Sequence, residues 1–329
     1  MDTNKRFRDI MPEFALVLAP MESITNAYYR RICKRYGADV LVTEFISSDA
    51  LIREVENSKK KMVFWESERP LGIQIFGNSE EALIGATKIA ESYRPDFIDI
   101  NWGCPVRKIA SKGSGSGILN DIPKMIELSS AVVRSTSLPV TVKTRLGYDQ
   151  KSTPIVEIAE RLQDIGIEGL AIHGRTRSQM YKGEADWRLI GEVKNNPRMN
   201  IPIYGNGDIN SAEKALEYKN RYGVDGILIG RAAIGNPFIF KEIKDKLNSI
   251  ETTPIPIEER VDVCQETLEG LIELRGENHA IFEMRKFYSG FFKGLYNFKP
   301  FRLKLVTTNS LEEIYNTFGE IREEYSALS

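Results

Sequence analysis

Short apolar runs recur along the chain: FALVLA (14–19), VLVTEF (40–45), LGIQIF (71–76), FIDINW (97–102), PVTVKTR (139–145), GLAIHG (169–174), IPIYGNG (201–207) and GILIGR (226–231). They are continuous rather than alternating, as in strands covered on both faces. Their starts lie 25 to 42 residues apart, which leaves room for the crossover helix that parallel strands require. The intervals carry matching helix signals. Thr25 precedes NAYYRRICKRYG, Ser79 precedes EEALIGATKIAESY, and Asp121 with Pro123 opens the run to Ser135. Thr153 and Pro154 open a run ending at Gly166, and Ser211 precedes AEKALEYKNRYG. These are cap residues at the starts and glycines at the ends. Segment 47–66 is less regular. Eight strand–helix units predict an α/β fold, a closed (β/α)8 TIM barrel. An open Rossmann sheet would also alternate, but Ala19-Pro20-Met21, not G-x-G-x-x-G, follows the first run.

The pattern changes after the last run. FIFKEIKDKL is followed by the proline-containing ETTPIPIEE (251–259), then by helical periodicity in ERVDVCQETLEGLIELRG, HAIFEMRKFYSGFFKGL and SLEEIYNTFGEIREEY. This divides the chain into a barrel over 1–249 and a small C-terminal helical domain over 250–329. Composition adds exclusions. Of 329 residues, 42% are hydrophobic and 28% charged, values at odds with disorder, collagen-like repeats or a coiled-coil rod. No run approaches the ~20 apolar residues that span a bilayer, and Asp9, Pro12 and Glu13 interrupt the only leader-like stretch. Cys33, Cys104 and Cys264 are far apart, an odd set with neither metal spacing nor a disulfide framework. The expectation is a soluble cytoplasmic protein with no membrane partner; a monomer is compatible with the sequence, which fixes no oligomeric state.

A barrel works at the carboxyl ends of its strands, and polar groups gather there. Gln74 lies in the third run, and Asn101 and Cys104 follow the fourth. Lys143 and Arg145 belong to the fifth, with Thr141 on the same face by period two. His173 and Arg175 end the sixth, Asn206, Gly207 and Asp208 the seventh, and Gly230 and Arg231 the eighth. This convergence points to an enzyme. The NGD turn and IGRAAIGN suit a phosphate, which rests at the last two strand ends of such barrels; two tight closing turns are the plainer reading. A lysine inside a strand needs a partner or ligand. Lys143 is read as contacting an anionic ring edge, as a Schiff-base lysine, or as paired to a carboxylate. His173 either orients a ligand or packs as a structural residue, and with only two histidines no metal site is expected. Cys104 is a thiol proton donor, a thiolate nucleophile or a packing residue, while Cys33 and Cys264 read as apolar packing.

APMESIT (19–25), NWGCPVRKIASKGSGSGIL (101–119), VKTRLG (142–147), HGRTRSQMYKGEADW (173–187), GNGDI (205–209) and IGRAAIGNP (229–237) together resemble the FMN-dependent tRNA-dihydrouridine synthases, most nearly the bacterial type. The resemblance covers residues 14–245 closely and the helical remainder loosely. It implies reduction of selected tRNA uridines to 5,6-dihydrouridine, with tightly but non-covalently bound FMN, NADPH as reductant and tRNA as substrate. Residue by residue it implies hydride transfer to uracil C6 and protonation of C5 by Cys104. Ala19, Pro20 and Met21 would wall the flavin, and Gln74, Lys143 and His173 would contact its ring. Asn206, Gly207, Asp208, Gly230 and Arg231 would hold its ribityl-phosphate end. Asn101 would hold the uracil, and Arg145, Arg175, Arg285 and Lys286 would contact substrate. Two departures stand out: Phe287 follows Arg285-Lys286 where many members carry histidine, and KGSGSGILND is richer in serine and glycine than usual, predicting a flexible or tight loop. Other FMN barrels, such as dihydroorotate dehydrogenase-like enzymes, and a noncatalytic RNA-binding barrel are the competing classes.

The near-neutral total, −1, conceals a distribution. Residues 1–245 carry +3 and the remainder −4, yet 284–304 hold Arg285, Lys286, Lys293, Lys299, Arg302 and Lys304 with no acid. That window is read as a phosphate-binding stripe, a solvated helical face being the bland alternative.

Overall fold

In the computed structural model, which describes residues 6–326, the apolar runs form nine strand segments. They are β1 (Ala15–Leu18), β2 (Leu41–Val42), β3 (Ile46–Ser47), β4 (Leu71–Phe76), β5 (Phe97–Asn101), β6 (Val140–Arg145), β7 (Gly169–His173), β8 (Ile203–Asn206) and β9 (Gly226–Ile229). All pair in parallel in the order β1-β9-β8-β7-β6-β5-β4-β2, with β3 also on β4. The ring closes between its two ends. Val17 forms a parallel bridge with Val40, and the Leu18 amide donates to the Val40 carbonyl at 3.2 Å. An open sheet would leave those two staves as edges, so the architecture is a (β/α)8 barrel with peripheral helices.

The second stave departs from the expected single strand. VLVTEF breaks after Val42 because the next two side chains take other partners. Thr43 Oγ1 accepts from the Gln74 amide at 3.0 Å, and the Glu44 carboxylate accepts from the Ser23 amide at 2.5 Å. Segment 47–66 resolves into two short helices, Ser48–Ile52 and Glu56–Lys60.

Alternate strand residues point into the barrel, and their chemistry changes with height. At the amino-terminal end Phe7, Phe97 and Tyr204 pack together, with the Phe7 ring edge-on to Phe97 at 4.9 Å and to Tyr204 at 6.1 Å. Phe7 arrives on the short helix Phe7–Ile10. Gly169 leaves it room, since a Cβ there would fall 2.6 Å from the Phe7 ring. Above this plug the interior turns polar, with Gln74, Asp99 and Thr141 buried beneath Asn101, Lys143 and His173.

Caps fix the outer helices. The Ser79, Asp121 and Ser211 side chains accept from the amides of Ala82, Lys124 and Lys214. The first outer helix, Ala27–Arg35, differs: Asn26 caps it by accepting from the Tyr29 amide at 3.1 Å. Thr25 Oγ1 instead accepts from the Met21 amide at 3.0 Å, so the expected cap shapes the loop after β1. Helix Ile155–Asp164 starts behind Pro154 with no side-chain cap, so Thr153 does not serve either.

Beyond residue 250 lie helices Ile257–Arg275, Glu277–Met284, Tyr288–Phe291, Lys299–Thr307 and Leu311–Tyr325. HAIFEMRKFYSGFFKGL is therefore broken at 285–287 rather than one helix. These helices share a continuous apolar core with the barrel's outer layer. Phe287 is fully buried against Tyr29, ring centroids 4.9 Å apart. Gly235 lets the Phe287 carbonyl approach closely, because a Cβ at that φ of +65° would sit 2.0 Å from its oxygen. Polar ties at the surface include Arg35–Glu266 at 2.6 Å and Tyr36 Oη to Glu259 at 2.6 Å. Phe287 is thus an apolar anchor between the two parts of the chain, and burying its ring contributes roughly 2–3 kcal/mol. No helix among the described residues is long and apolar enough to cross a membrane.

Candidate active site at the barrel mouth

The carboxyl ends of the strands open into a cavity of about 910 Å³, the size range of cofactor sites. Ala19, Pro20 and Met21 line one wall. Lys143, His173 and Asn206 form the floor on three successive staves, β6 to β8, where Arg145 is in register with His173 and His173 with Asn206. Gly207, Asp208, Gly230 and Arg231 line the adjoining rim, reached across the β1–β9 pairing, and Asn101, Cys104 and Arg145 complete the enclosure.

The loop after β5 is held on every side. Asn101 Oδ1 accepts from the amides of Gly103 and Cys104, each at 2.9 Å. The Cys104 carbonyl accepts from the Ser116 amide at 3.0 Å and its hydroxyl at 2.8 Å, and Arg145 Nε donates to the Gly103 carbonyl at 2.7 Å. The serine- and glycine-rich segment behind it is tight: Gly115–Asn120 forms a 3-10 turn, and Ser116 is the residue that clasps Cys104.

Burial sets the charge states. The Cys104 thiol is pushed above its usual range by burial, against the Val106 amide and the nearby Arg145 and Lys143 cations. It is therefore a thiol at neutral pH. Burial lowers Lys143 to about 8, with Arg145 repelling its charge and Asp99 favouring it. His173 is held well below the usual imidazole range by burial and by the surrounding Arg145, Lys143, Arg175 and Arg231 charges. Its Nδ1 is buried and has no hydrogen-bond partner among the described residues. Lys143 likewise forms no ion pair among them.

At the rim, Gly207 has φ +124° and a Cβ there would fall 2.7 Å from Ala185 Cβ, so only glycine fits the turn. Burial raises the Asp208 carboxyl, but the Ala185 amide and the Arg175 and Arg231 charges outweigh it and hold it below the usual range. Its contacts are 2.8 Å to the Ala185 amide, 2.7 Å to Arg175 and 3.0 Å to Arg231. A Cβ on Gly230 would protrude into the cleft, 3.8 Å from both Ala19 Cβ and Met21 Sδ.

Four candidates lie elsewhere. Gln74 is one layer below the cavity, donating to Asp99 at 2.6 Å and accepting from Asn101 at 2.9 Å. Arg175 is buried behind the rim on Asp208 and the carbonyls of Lys182 and Gly183. Arg285 is spent on Thr308 and Asn309, and Lys286 donates to the Ser23 carbonyl at 3.2 Å. The cavity also takes in side chains that the strand-end pattern does not single out: Glu22, Phe45, Tyr181, Glu184, Lys214 and Lys293. The Tyr181 ring lies between Arg145 and Arg231, with guanidinium centres 5.6 and 5.4 Å from its centroid. Tyr181 and Glu184 fall within HGRTRSQMYKGEADW, a motif that could have pointed to them. Lys293 is visible in the sequence only as one charge in the basic window.

A family model described as dihydrouridine synthase (Dus) matches residues 17–324. Over 312 residues the chain is 34% identical to tRNA-dihydrouridine synthase B of Pseudomonas aeruginosa, covering 94% of this chain and 92% of that protein. Over 264 residues it is 39% identical to tRNA-dihydrouridine synthase B of Vibrio vulnificus, covering 80% and 81%. Among solved structures, morphinone reductase in complex with tetrahydroNAD superposes with a TM-score of 0.51 at 13% identity, over 74% of this chain and 89% of that one. That likeness is one of fold.

Proposed function

The chain belongs to the dihydrouridine synthase family, and from that premise we propose that its barrel mouth reduces a tRNA uridine to 5,6-dihydrouridine, with FMN in the cavity, NADPH as its reductant and Cys104 as the proton donor. One observation carries this reading: a thiol kept protonated by burial shares a cavity with Lys143, which forms no ion pair among the described residues, and with His173, whose buried Nδ1 has no hydrogen-bond partner among them.

The residues fit the cofactor. A neutral imidazole and an ammonium on the floor suit the polar edge of a heteroaromatic ring, and the room beside Gly230 suits a chain running to a phosphate. When bound and reduced, FMN supplies the hydride for uracil C6. The protein does the rest. Ala19, Pro20 and Met21 hold water off one face, and the turns at Asn206–Asp208 and Gly230–Arg231 take the phosphate end. Asn101, with one amide N–H left over, faces the uracil. Cys104 Sγ gives its proton to C5 while uracil gains its hydride, so the base takes up two hydrogens and the sulfur is left as a thiolate. The Arg145 and Lys143 charges, which already pull against burial, stabilise that thiolate until it is reprotonated. The target base must leave its stack to reach the cavity. In this reading the C-terminal segment 250–329 forms the tRNA-facing domain, with Lys286, held on the Ser23 carbonyl, at its junction with the mouth, Arg285 next to it in the chain, and Arg175 bracing the rim.

The experiment is anaerobic: protein reduced with NADPH is mixed with unmodified tRNA, and the nucleosides are weighed by mass spectrometry. Uridine heavier by two hydrogens is the expected product. Unchanged tRNA alongside reduction of a free pyrimidine would move the function to metabolite reduction.

A further inference from the structure

The polar layer beneath the cavity contains a carboxylate that the reaction does not call for. Asp99 is buried on the inner face of β5, below the groups that line the mouth. Its Oδ1 accepts from Thr141 Oγ1 at 2.5 Å and its Oδ2 from Gln74 Nε2 at 2.6 Å. The second contact decides which way the Gln74 amide faces. With Nε2 turned down to the carboxylate, Gln74 Oε1 must face upward, where it accepts from Asn101 Nδ2 at 2.9 Å. Asn101 is oriented in turn, its Oδ1 presented to the amides of Gly103 and Cys104. An amide has one end that donates and one that accepts, so a carboxylate, which only accepts, fixes both flips above it. Turning either amide over would set donor against donor in a buried layer, the costly kind of mismatch.

We propose that Asp99 is a positioning residue for Cys104, acting through the one-way hydrogen-bond chain Asp99–Gln74–Asn101 that fastens the loop after β5. The proposal rests on the reading of Cys104 as proton donor, and adds that the placement of its sulfur is set two layers down. The chain also leaves Asn101 one N–H for the cavity and no free carbonyl, so Asn101 meets a substrate oxygen and not a substrate N–H.

The test reads the loop directly and needs neither tRNA nor reductant. The rate at which iodoacetamide alkylates Cys104 in the native flavoprotein is followed at fixed pH by peptide mass, which separates it from Cys33 and Cys264. Asp99→Leu removes the acceptor, frees Gln74 to turn, and raises the Cys104 rate about fivefold, the scale of one net hydrogen bond. Asn101→Ala raises it at least as much, and the double variant is no faster than Asn101→Ala alone, because the two act in series. Asp99→Asn keeps an oxygen for Gln74 and an N–H for Thr141 Oγ1, and so keeps the parental rate. A folded Asp99→Leu protein alkylated at the parental rate, or additive effects in the double variant, overturns the proposal. Should Asp99→Leu not fold, Gln74→Met breaks the same chain without touching charge; a parental Cys104 rate there overturns it as well. The outcome is independent of the reaction assignment, which fails instead if a Cys104→Ala protein still reduces tRNA.

Discussion

Cys33, Cys104 and Cys264 are all buried free thiols, yet only Cys104 is placed to react. Cys33 and Cys264 are enclosed by apolar helix contacts, while Cys104 lines a cavity with cations beside it. Replacing Cys104 with Ala should leave flavin content and NADPH oxidation unchanged and lower single-turnover tRNA reduction by about 10²-fold or more, the usual worth of a positioned proton donor. His173 supports a pH prediction. Its imidazole is held neutral in the folded flavin-free protein but takes a proton when unfolded below about pH 6.5. The unfolded state then binds more protons, so stability is full above that pH and falls as the pH drops below it. Denaturant midpoints of the flavin-free protein between pH 7.5 and 5 should show this slope, reduced in His173→Asn. Both residues were legible from their places at or just past the carboxyl ends of apolar runs, where a barrel keeps its working groups. Height along the barrel was not legible. Strand stagger puts Gln74 level with Asp99 and not with Lys143, so the same "strand-end" position in the sequence lies a layer lower in space.

At the scale of elements, seven of the eight staves followed from unbroken apolar runs bounded by turn residues. The second did not, because Thr43 and Glu44 are bound by Gln74 and Ser23, partners distant in sequence. The first outer helix shows the same limit: Thr25 and Asn26 are both good caps, and the Met21 loop decides between them. The last helices depend on Phe287. Phe287→Ala should cost about 3–5 kcal/mol and loosen the helices from the barrel. NADPH oxidation by the folded fraction should survive, while the KM for tRNA rises several-fold; equal losses in both half-reactions would argue against a docking role.

For the molecule as a whole, the near-zero charge gave little hint of an RNA substrate, and the structure thins the basic window further. Lys304 pairs with Glu320 and Arg285 is tied to Thr308 and Asn309. Lys293, Lys299 and Arg302 have no salt-bridge partner among the described residues, and Lys293 reaches the cavity. The footprint is accordingly narrow. Replacing these three with Ala should weaken tRNA binding and flatten the plot of log affinity against log salt by about 0.7–0.9 for every phosphate left without its cation. Fluorescence titration over a salt series, from roughly 50 to 200 mM, would measure it.

The aromatic plug at the foot of the barrel reaches beyond stability. With Phe7, Phe97 and Tyr204 stopping the lower end, whatever visits the reactive centre must come and go through the upper doorway. On the proposed reaction, a nicotinamide and an extruded base both have to use that one doorway to reach the same ring. The expected order is one of turns, the first visitor gone before the second is admitted. Steady-state kinetics should therefore give parallel double-reciprocal lines when NADPH and tRNA are varied against each other, the signature of a turnstile.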